Sequence, residues 1–452
     1  MISKNDYVLT NFPEELRYLD GQLHVESVRI ADVATEVGTP FYLYSEASIS
    51  NSYRRLSEAM TDLNARIFYS VKANGNLSVL STLANQGCGA DIVSEGELER
   101  ALRAGFRADA IVFSGVGKSE AALEKAIEIE IRQINVESEC EFARIAAIAS
   151  RLGKRPSLAI RINPDVDART HSNITTGRRT DKFGLIEEDA FRLYERASRD
   201  PHVDLRGLAL HIGSQVSALD AFEEAFRRVA LLTARLRARG NKVDRIDLGG
   251  GVPSTFPGDT TILSRYVAII ERNIGHLRCE ILLEPGRLLL ANAGVLITEV
   301  LLVKHMDSNT VVVINAAMND FIRPALYGAE HDVVAVQQEL ERSRIIADVV
   351  GPVCESSDTF CRAKSVPGVG RGDLLALLGA GAYGASMSST YNARPLVPEV
   401  LVHGSQHALI RKRVSIEDQM AIEPLAPWLC ASQSGRNCAS RQTIARPSNV
   451  SK

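Results

Sequence analysis

Along residues 67–283 the chain repeats one pattern, a short apolar run rich in β-branched and aromatic residues followed by a stretch with apolar positions three and four apart. The runs fall at 67–71, 90–93, 111–113, 133–136, 158–162, 208–212, 245–248 and 281–283. Their apolar character predicts buried strands, and the spacing between them predicts helices. Ser94-Glu95-Gly96-Glu97 has the composition of a capping box, and Phe222, Phe226, Val229 and Leu236 recur at helical spacing. Eight such units predict an α/β fold, a closed parallel (β/α)8 barrel of TIM type, at residues 39–287.

Different patterns flank the barrel. Residues 1–38 hold short extended pieces such as Gln22-Leu23-His24-Val25, with another at 41–45 after Pro40. Ile49, Tyr53, Leu56, Met60 and Leu63 then mark one face of a helix. After Arg287 the alternation is of strand type, at 295–303, 311–314, 332–336, 345–349, 374–378 and 407–410. This predicts an all-β domain at 288–430 that the N-terminal segment joins. Residues 431–452 carry four basic and no acidic side chains among Ser, Asn and Gln, the composition of a disordered tail.

Composition narrows the function classes. With 52 Lys and Arg against 55 Asp and Glu in 452 residues, no charge excess points to nucleic acid or an acidic surface. A small anion needs only a local cluster. The seven cysteines form no CxxC pair and no disulfide framework, so no metal site is expected and a reducing cytoplasm is the expected compartment. The first residues lack the apolar core of a signal peptide. The longest apolar stretch, 288–303, is interrupted by Asn292, Thr298 and Glu299 and reads as strands, not a membrane span.

A barrel of this kind works at the C-terminal ends of its strands. Those ends carry Lys72, Asp91 with Ser94, Ser114-Gly115, Glu137, Arg161 to Asn163, His211 to Ser214, Gly249-Gly250-Gly251, and Glu284-Pro285-Gly286-Arg287. All eight end in polar residues or glycine, which packing alone does not require. Lys72 alone reads as a solvent-facing lysine, but apolar and cationic neighbours that lowered its pKa would let it form a Schiff base. The triple glycine would let backbone N–H groups approach a phosphate, or is a plain loop. Glu284 could face a pyridine nitrogen and Arg287 an anion, or the two form a structural ion pair. His211 is either a core histidine or a ring laid on a flat cofactor, and Cys354 either a buried turn thiol or a proton donor beside Glu355.

Two motifs fail on context. Gly117-Lys118-Ser119 resembles the end of a P-loop, but Val112 stands where the upstream glycine is required. The GxGxxG letters at Gly379 to Gly384 are followed by a stretch rich in Ser and interrupted by Pro395 and Pro398, not by a helix.

Taken together, Tyr69-Ser70-Val71-Lys72-Ala73-Asn74, His211-Ile212-Gly213-Ser214-Gln215, Gly249-Gly250-Gly251, Glu284-Pro285-Gly286-Arg287, the run from Met318 to Tyr327, Gly351-Pro352-Val353-Cys354-Glu355-Ser356 and Ala382-Tyr383-Gly384 resemble, in order, the fold-type III pyridoxal-phosphate-dependent decarboxylases. The likeness spans residues 38–402 and is to the bacterial diaminopimelate decarboxylase group, whose barrel is alanine-racemase-like. It implies that Lys72 carries pyridoxal 5′-phosphate, that His211 stacks on its ring and that Glu284 faces its nitrogen. It also implies that Asp91, Arg161, Ser214, Gly250, Gly251, Pro285, Gly286, Arg287 and Tyr383 surround the cofactor, and that Arg287, Arg323, Tyr327, Glu355 and Tyr383 bind substrate. Cys354 and Glu355 are implied to enter the site of a second subunit, making a homodimer in which Cys354 donates the proton. The implied reaction converts meso-2,6-diaminopimelate to L-lysine and carbon dioxide. Related decarboxylases act on D-ornithine, D-lysine, arginine or carboxynorspermidine, but a distal carboxylate gives the Arg323 run a purpose. The chain departs from the family pattern at Ser357, where glycine is expected, and at residues 169–180.

Overall fold

The computed structural model describes residues 9, 12–168, 176–178, 181–216, 218–254, 260–338 and 342–430. The expected tail at 431–452 and most of loop 169–180 lie outside the described residues.

Eight strands, Ala65–Ser70, Gly89–Ile92, Ile111–Phe113, Gln133–Val136, Ser157–Asn163, Asp204–Ala209, Arg245–Asp247 and Glu280–Leu283, pair in parallel and in chain order. The ring closes where Leu283 stands opposite Ile67. Helices cover the outside, so Ile92, Ile134, Ile160 and Leu208 are buried, as a sheet covered on both faces requires. Many of these helices start from a polar cap at the working rim. Ser94 accepts the N–H of Glu97, Ser119 that of Ala122 and Ser138 that of Glu141. Each such cap stabilises its helix by about 1 kcal/mol. The box expected at 94–97 is displaced by one residue, because the Glu97 carboxylate accepts the N–H of Val93 at 2.7 Å and not that of Ser94.

The second domain is built on the long strand Gly294–His305. One half of it pairs with Phe41–Ser45 on one side and Leu374–Leu377 on the other, and its far half pairs with Thr310–Ile314. Phe41–Ser45 therefore belongs to this sheet, between Gly294–His305 and Glu399–His403, although residues from 39 onward were expected in the barrel. All five of its residues are buried, and both of its partners lie far along the chain, where local pattern gives no hint of them. Two further strands, Thr359–Val366 and Glu399–His403, were not anticipated. The first carries Arg362 and Lys364 on its exposed face and a left-handed Ala363, which blur its alternation. Residues 288–290, expected in a strand, belong to a helical turn, Arg287–Leu290.

The N-terminal strands Leu16–Leu19, Gln22–Val25 and Val28–Arg29 make a small antiparallel sheet. Its Leu23 and Val25 share a core with Phe41, Leu43, Val295 and Val400, which ties this segment to the β domain. No helix among the described residues is long and apolar enough to cross a membrane.

Candidate active site

Lys72 sits in a short helical turn, Val71–Ala73, just beyond the first barrel strand. Tyr69 donates its hydroxyl to Asn74 O at 3.0 Å, and Ala73 O accepts the Tyr383 N–H at 2.7 Å, so the β-domain loop fixes the turn. That use of the Gly379 to Gly384 loop also accounts for its glycines: a Cβ at Gly381 would stand 1.9 Å from Leu290 O.

The lysine amine is 3.5 Å from Asp91 Oδ2, which also accepts the Ser70 hydroxyl at 2.9 Å. Burial alone would lower the lysine pKa, but Asp91, then Tyr383 and Glu284, outweigh it and raise it. The surroundings therefore do not impose the lowered pKa that would leave the amine neutral. The Asp91 carboxylate dominates around the amine, and it is held as an ammonium.

The cavity above Lys72 has a volume of about 430 Å³ and is also lined by Arg161, His211, Glu284, Arg287, Arg323 and Tyr383. Glu284 Oε1 accepts the Ser114 hydroxyl at 3.1 Å and faces Asn135 Nδ2 at 3.5 Å. The same Asn135 nitrogen donates to Asp247 Oδ2 at 2.9 Å. Burial, followed by Asp247 and Asp91, pushes the Glu284 carboxyl well above its usual range, and burial also raises Asp247. Both buried acids are thus displaced toward their protonated forms. His211 Nδ1 accepts the Gly250 N–H at 3.1 Å, which places the ring proton on Nε2. Burial, then Lys72 and Arg161, hold its pKa well below 6.5, so the ring is neutral.

Two N–H groups of the glycine loop are already engaged within the chain. Gly249 N–H goes to Asp247 Oδ1 at 3.0 Å and Gly250 N–H to His211. The glycines are needed for close packing as well, since a Cβ on Gly250 would lie 2.2 Å from Glu284 O and one on Gly251, at φ +107°, 2.3 Å from Gly213 O. Pro285 O accepts the Ser70 N–H at 3.1 Å, and a Cβ on Gly286 would meet Ala73, Ser70 and the Tyr383 hydroxyl.

The guanidinium groups differ in their partners. Arg161 is engaged by Glu137 at 2.6 Å and lies over Phe183. Arg287 lies over Tyr383, reaches Ser214 Oγ at 3.4 Å, and keeps a buried Nε without a partner. Arg323 reaches Gln215 at 3.4 Å and His331 at 3.5 Å and lies 5.9 Å from the Tyr327 ring. Among the described residues neither Arg287 nor Arg323 has a carboxylate partner. Two buried cations without counter-ions, beside an amine, a neutral imidazole and a carboxyl pair displaced toward its protonated form, fit a group that is at once aldehyde, flat heteroaromatic ring and phosphate, together with an acidic substrate. Among the described residues no cluster of His, Cys, Asp and Glu is placed to hold a metal ion.

Cys354 and Glu355 are not among these residues. They lie in the exposed turn 351–358, where Glu355 accepts hydrogen bonds from Tyr391 and, at 3.1 Å, from Ser357, the position at which glycine was expected. Sequence reasoning missed Asn135, Asp247, His331 and Tyr391. The first two had a signal, since a polar residue within an otherwise apolar barrel strand must find a partner inside the barrel.

Residues 46–291 match the family model described as pyridoxal-dependent decarboxylase, pyridoxal binding domain. The chain belongs to the pyridoxal-dependent decarboxylases. It is 42% identical over 416 residues to a diaminopimelate decarboxylase of Zymomonas mobilis, covering 91% of this chain and 98% of the relative. Against the one from Vibrio cholerae it is 43% identical over 410 residues, 90% of this chain and 98% of the other. Among solved structures, the Helicobacter pylori diaminopimelate decarboxylase complexed with L-lysine superimposes with a TM-score of 0.83 at 40% identity, covering 87% of this chain and 99% of that one. The M. jannaschii enzyme, also in complex with L-lysine, gives 0.87 at 34% identity, covering 93% and 99%. Within the class, the chain is a member of the diaminopimelate decarboxylase family, and hence a carboxy-lyase of lysine biosynthesis.

Proposed function

We propose that this chain holds pyridoxal 5′-phosphate on Lys72, takes meso-2,6-diaminopimelate as substrate, releases carbon dioxide and L-lysine, and does so in the cytoplasm as a homodimer. The observation that carries the reading is the pair of buried, uncompensated guanidinium groups, Arg287 and Arg323, in the cavity that also contains Lys72 and Glu284. When bound, the cofactor supplies an electron sink for the pair of electrons left behind by carbon dioxide.

The chain's own groups divide the remaining work. Glu284, with Asp247 behind it, keeps a proton at the floor of the cavity. His211 offers a neutral flat face that does not compete for that proton. The Lys72 ammonium gives up a proton before its amine can act as a nucleophile, and Asp91 at 3.5 Å is placed to accept it. Arg323 takes the distal carboxylate of the substrate, which a diamine-forming decarboxylase would not need. Cys354 and Glu355, exposed in turn 351–358, reach the cavity of a second copy, where the thiol returns a proton to the α-carbon and the carboxylate holds the distal ammonium. L-lysine bound to the H. pylori and M. jannaschii relatives is the product this scheme requires.

The test is carbon dioxide release from meso-diaminopimelate, with and without added cofactor, against D-ornithine, D-lysine and arginine. Lys72→Ala is expected to lose both turnover and the absorbance band of bound cofactor. Retention of both would refute the assignment.

A further inference from the structure

Asp358 has no part in the chemistry above, yet it is 2% exposed at the end of a turn whose residues 354–357 are all exposed. Its carboxylate points inward, where Oδ2 accepts the Val353 N–H at 2.7 Å and Oδ1 accepts the Met318 N–H at 2.7 Å. Its backbone closes the same turn, donating to Glu355 O at 3.1 Å and accepting from Gly351 N–H at 3.0 Å. Gly351 is required beside it, because a Cβ there would lie 2.3 Å from Oδ2 and 2.4 Å from Oδ1.

The two amides belong to different parts of the machinery. Val353 immediately precedes Cys354. Met318 opens the segment that leads to the Arg323–Tyr327 helix, and that segment is stiff: Ala317 N–H donates to Asp320 Oδ2 at 2.8 Å and Phe321 N–H to Ala317 O at 3.1 Å. A shift at Met318 is therefore passed on toward Arg323.

We propose that Asp358 is a positioning residue that locks the Cys354–Glu355 turn to the Arg323 segment. The inference rests on the reading that Cys354 and Glu355 serve the site of a second copy while Arg323 serves its own chain. On that reading one carboxylate sets the proton donor of one site and the carboxylate clamp of the other, and so ties the two sites of the dimer together. Removing it leaves two amides short of an acceptor and loosens groups whose placement matters to within about 1 Å, a displacement that can cost on the order of 100-fold in rate.

The test uses the holoenzyme. Asp358→Asn keeps the shape but offers only one acceptor oxygen to two N–H groups. It is expected to lower kcat by about 10- to 100-fold and to raise KM for diaminopimelate, with the cofactor absorbance band retained. Alkylation of Cys354 by iodoacetamide, read against Cys140 by peptide mass spectrometry, is expected to change rate. Mixed dimers then separate the two arms. Combining Lys72→Ala chains with Cys354→Ala chains leaves one complete site per mixed dimer. Asp358→Asn on the Lys72→Ala chain, which supplies the thiol, is expected to depress kcat. On the Cys354→Ala chain, which supplies Arg323, it is expected to raise KM. Unchanged Cys354 reactivity, or identical effects from the two placements, overturns the proposal. If the parent mixture regains no activity, the shared-site reading fails instead, and Cys354 alkylation alone decides whether Asp358 holds the turn. If Asp358→Asn does not fold, hydrogen exchange in the wild-type protein serves: slow exchange at both Met318 and Val353 supports the lock, and open-turn rates at either one overturn it.

Discussion

Replacing Arg323 by methionine sets the needs of the site against those of the fold. Arg323 is 2% exposed, has no carboxylate partner among the described residues, and its guanidinium makes long hydrogen bonds to Gln215 and His331 and lies 5.9 Å from the Tyr327 ring. Burial, followed by the charge of Arg287, lowers its pKa from 12.5 to about 10. A base whose pKa is depressed on folding is less stable as a cation in the folded state than in the unfolded chain, at any pH below about 10. That depression corresponds to about 3 kcal/mol that folding must overcome. Methionine removes that cost and forfeits two weak hydrogen bonds, about 1 kcal/mol. The cofactor-free protein should therefore gain about 1–2 kcal/mol and melt about 1–2 °C higher, at ~1 °C per kcal/mol for a chain of this length. Activity should move the other way, because losing a desolvated charge partner for the substrate carboxylate costs about 2–5 kcal/mol, on the order of 30-fold to several thousand-fold in kcat/KM. Thermal unfolding without cofactor and carbon dioxide release with it measure the two arms. A variant that melts lower, or that keeps its kcat/KM for diaminopimelate, would refute the reasoning.

Two further changes test the surroundings of the site. His331 donates from Nδ1 to Leu378 O at 2.8 Å, and burial is the first cause of its pKa of about 4. The unfolded chain takes up this proton first as pH falls, so stability linked to His331 is present above pH ~6.5 and declines toward pH ~4, by about 3 kcal/mol in total. Urea melts between these limits should show a flatter pH slope for His331→Gln than for wild type, and superimposable slopes would rule the linkage out. Gly250→Ala forces a Cβ to within 2.2 Å of the Glu284 carbonyl oxygen, a backbone atom with little freedom to retreat. A loss of about 1–3 kcal/mol and weaker cofactor uptake are expected, and unchanged denaturation and cofactor titrations would contradict the packing role assigned to that glycine.

The barrel was legible because each of its strands is apolar along its length and polar at its end, a pattern set by local composition. The gathering of Lys72, Asp91, His211, Glu284 and Arg287 at one rim follows from that topology. Other features depended on distant neighbours. Phe41–Ser45 looks like any short apolar strand, and only its pairing with Gly294–His305 and Glu399–His403 assigns it to the second domain. The sign of the Lys72 pKa shift turned on Asp91, a residue named for the site but not weighed as the amine's closest charge. The Asn135 and Asp247 interactions required knowing which strand faces cross the barrel interior.

The place of Phe41–Ser45 in the sheet bears on how the chain is made. Tyr44 stands opposite Gly294, 250 residues later, so the barrel is a nested insertion whose entrance and exit lie side by side. At typical synthesis rates of about 5–20 residues per second, the early strand emerges ~10–50 s before its partner exists. Throughout that interval a strand whose five residues are all buried in the finished fold has no sheet to join. The newborn chain thus passes through a stage in which an early hydrophobic strand waits without its sheet, and a chaperone that shields the first 45 residues would act where this fold is exposed to aggregation.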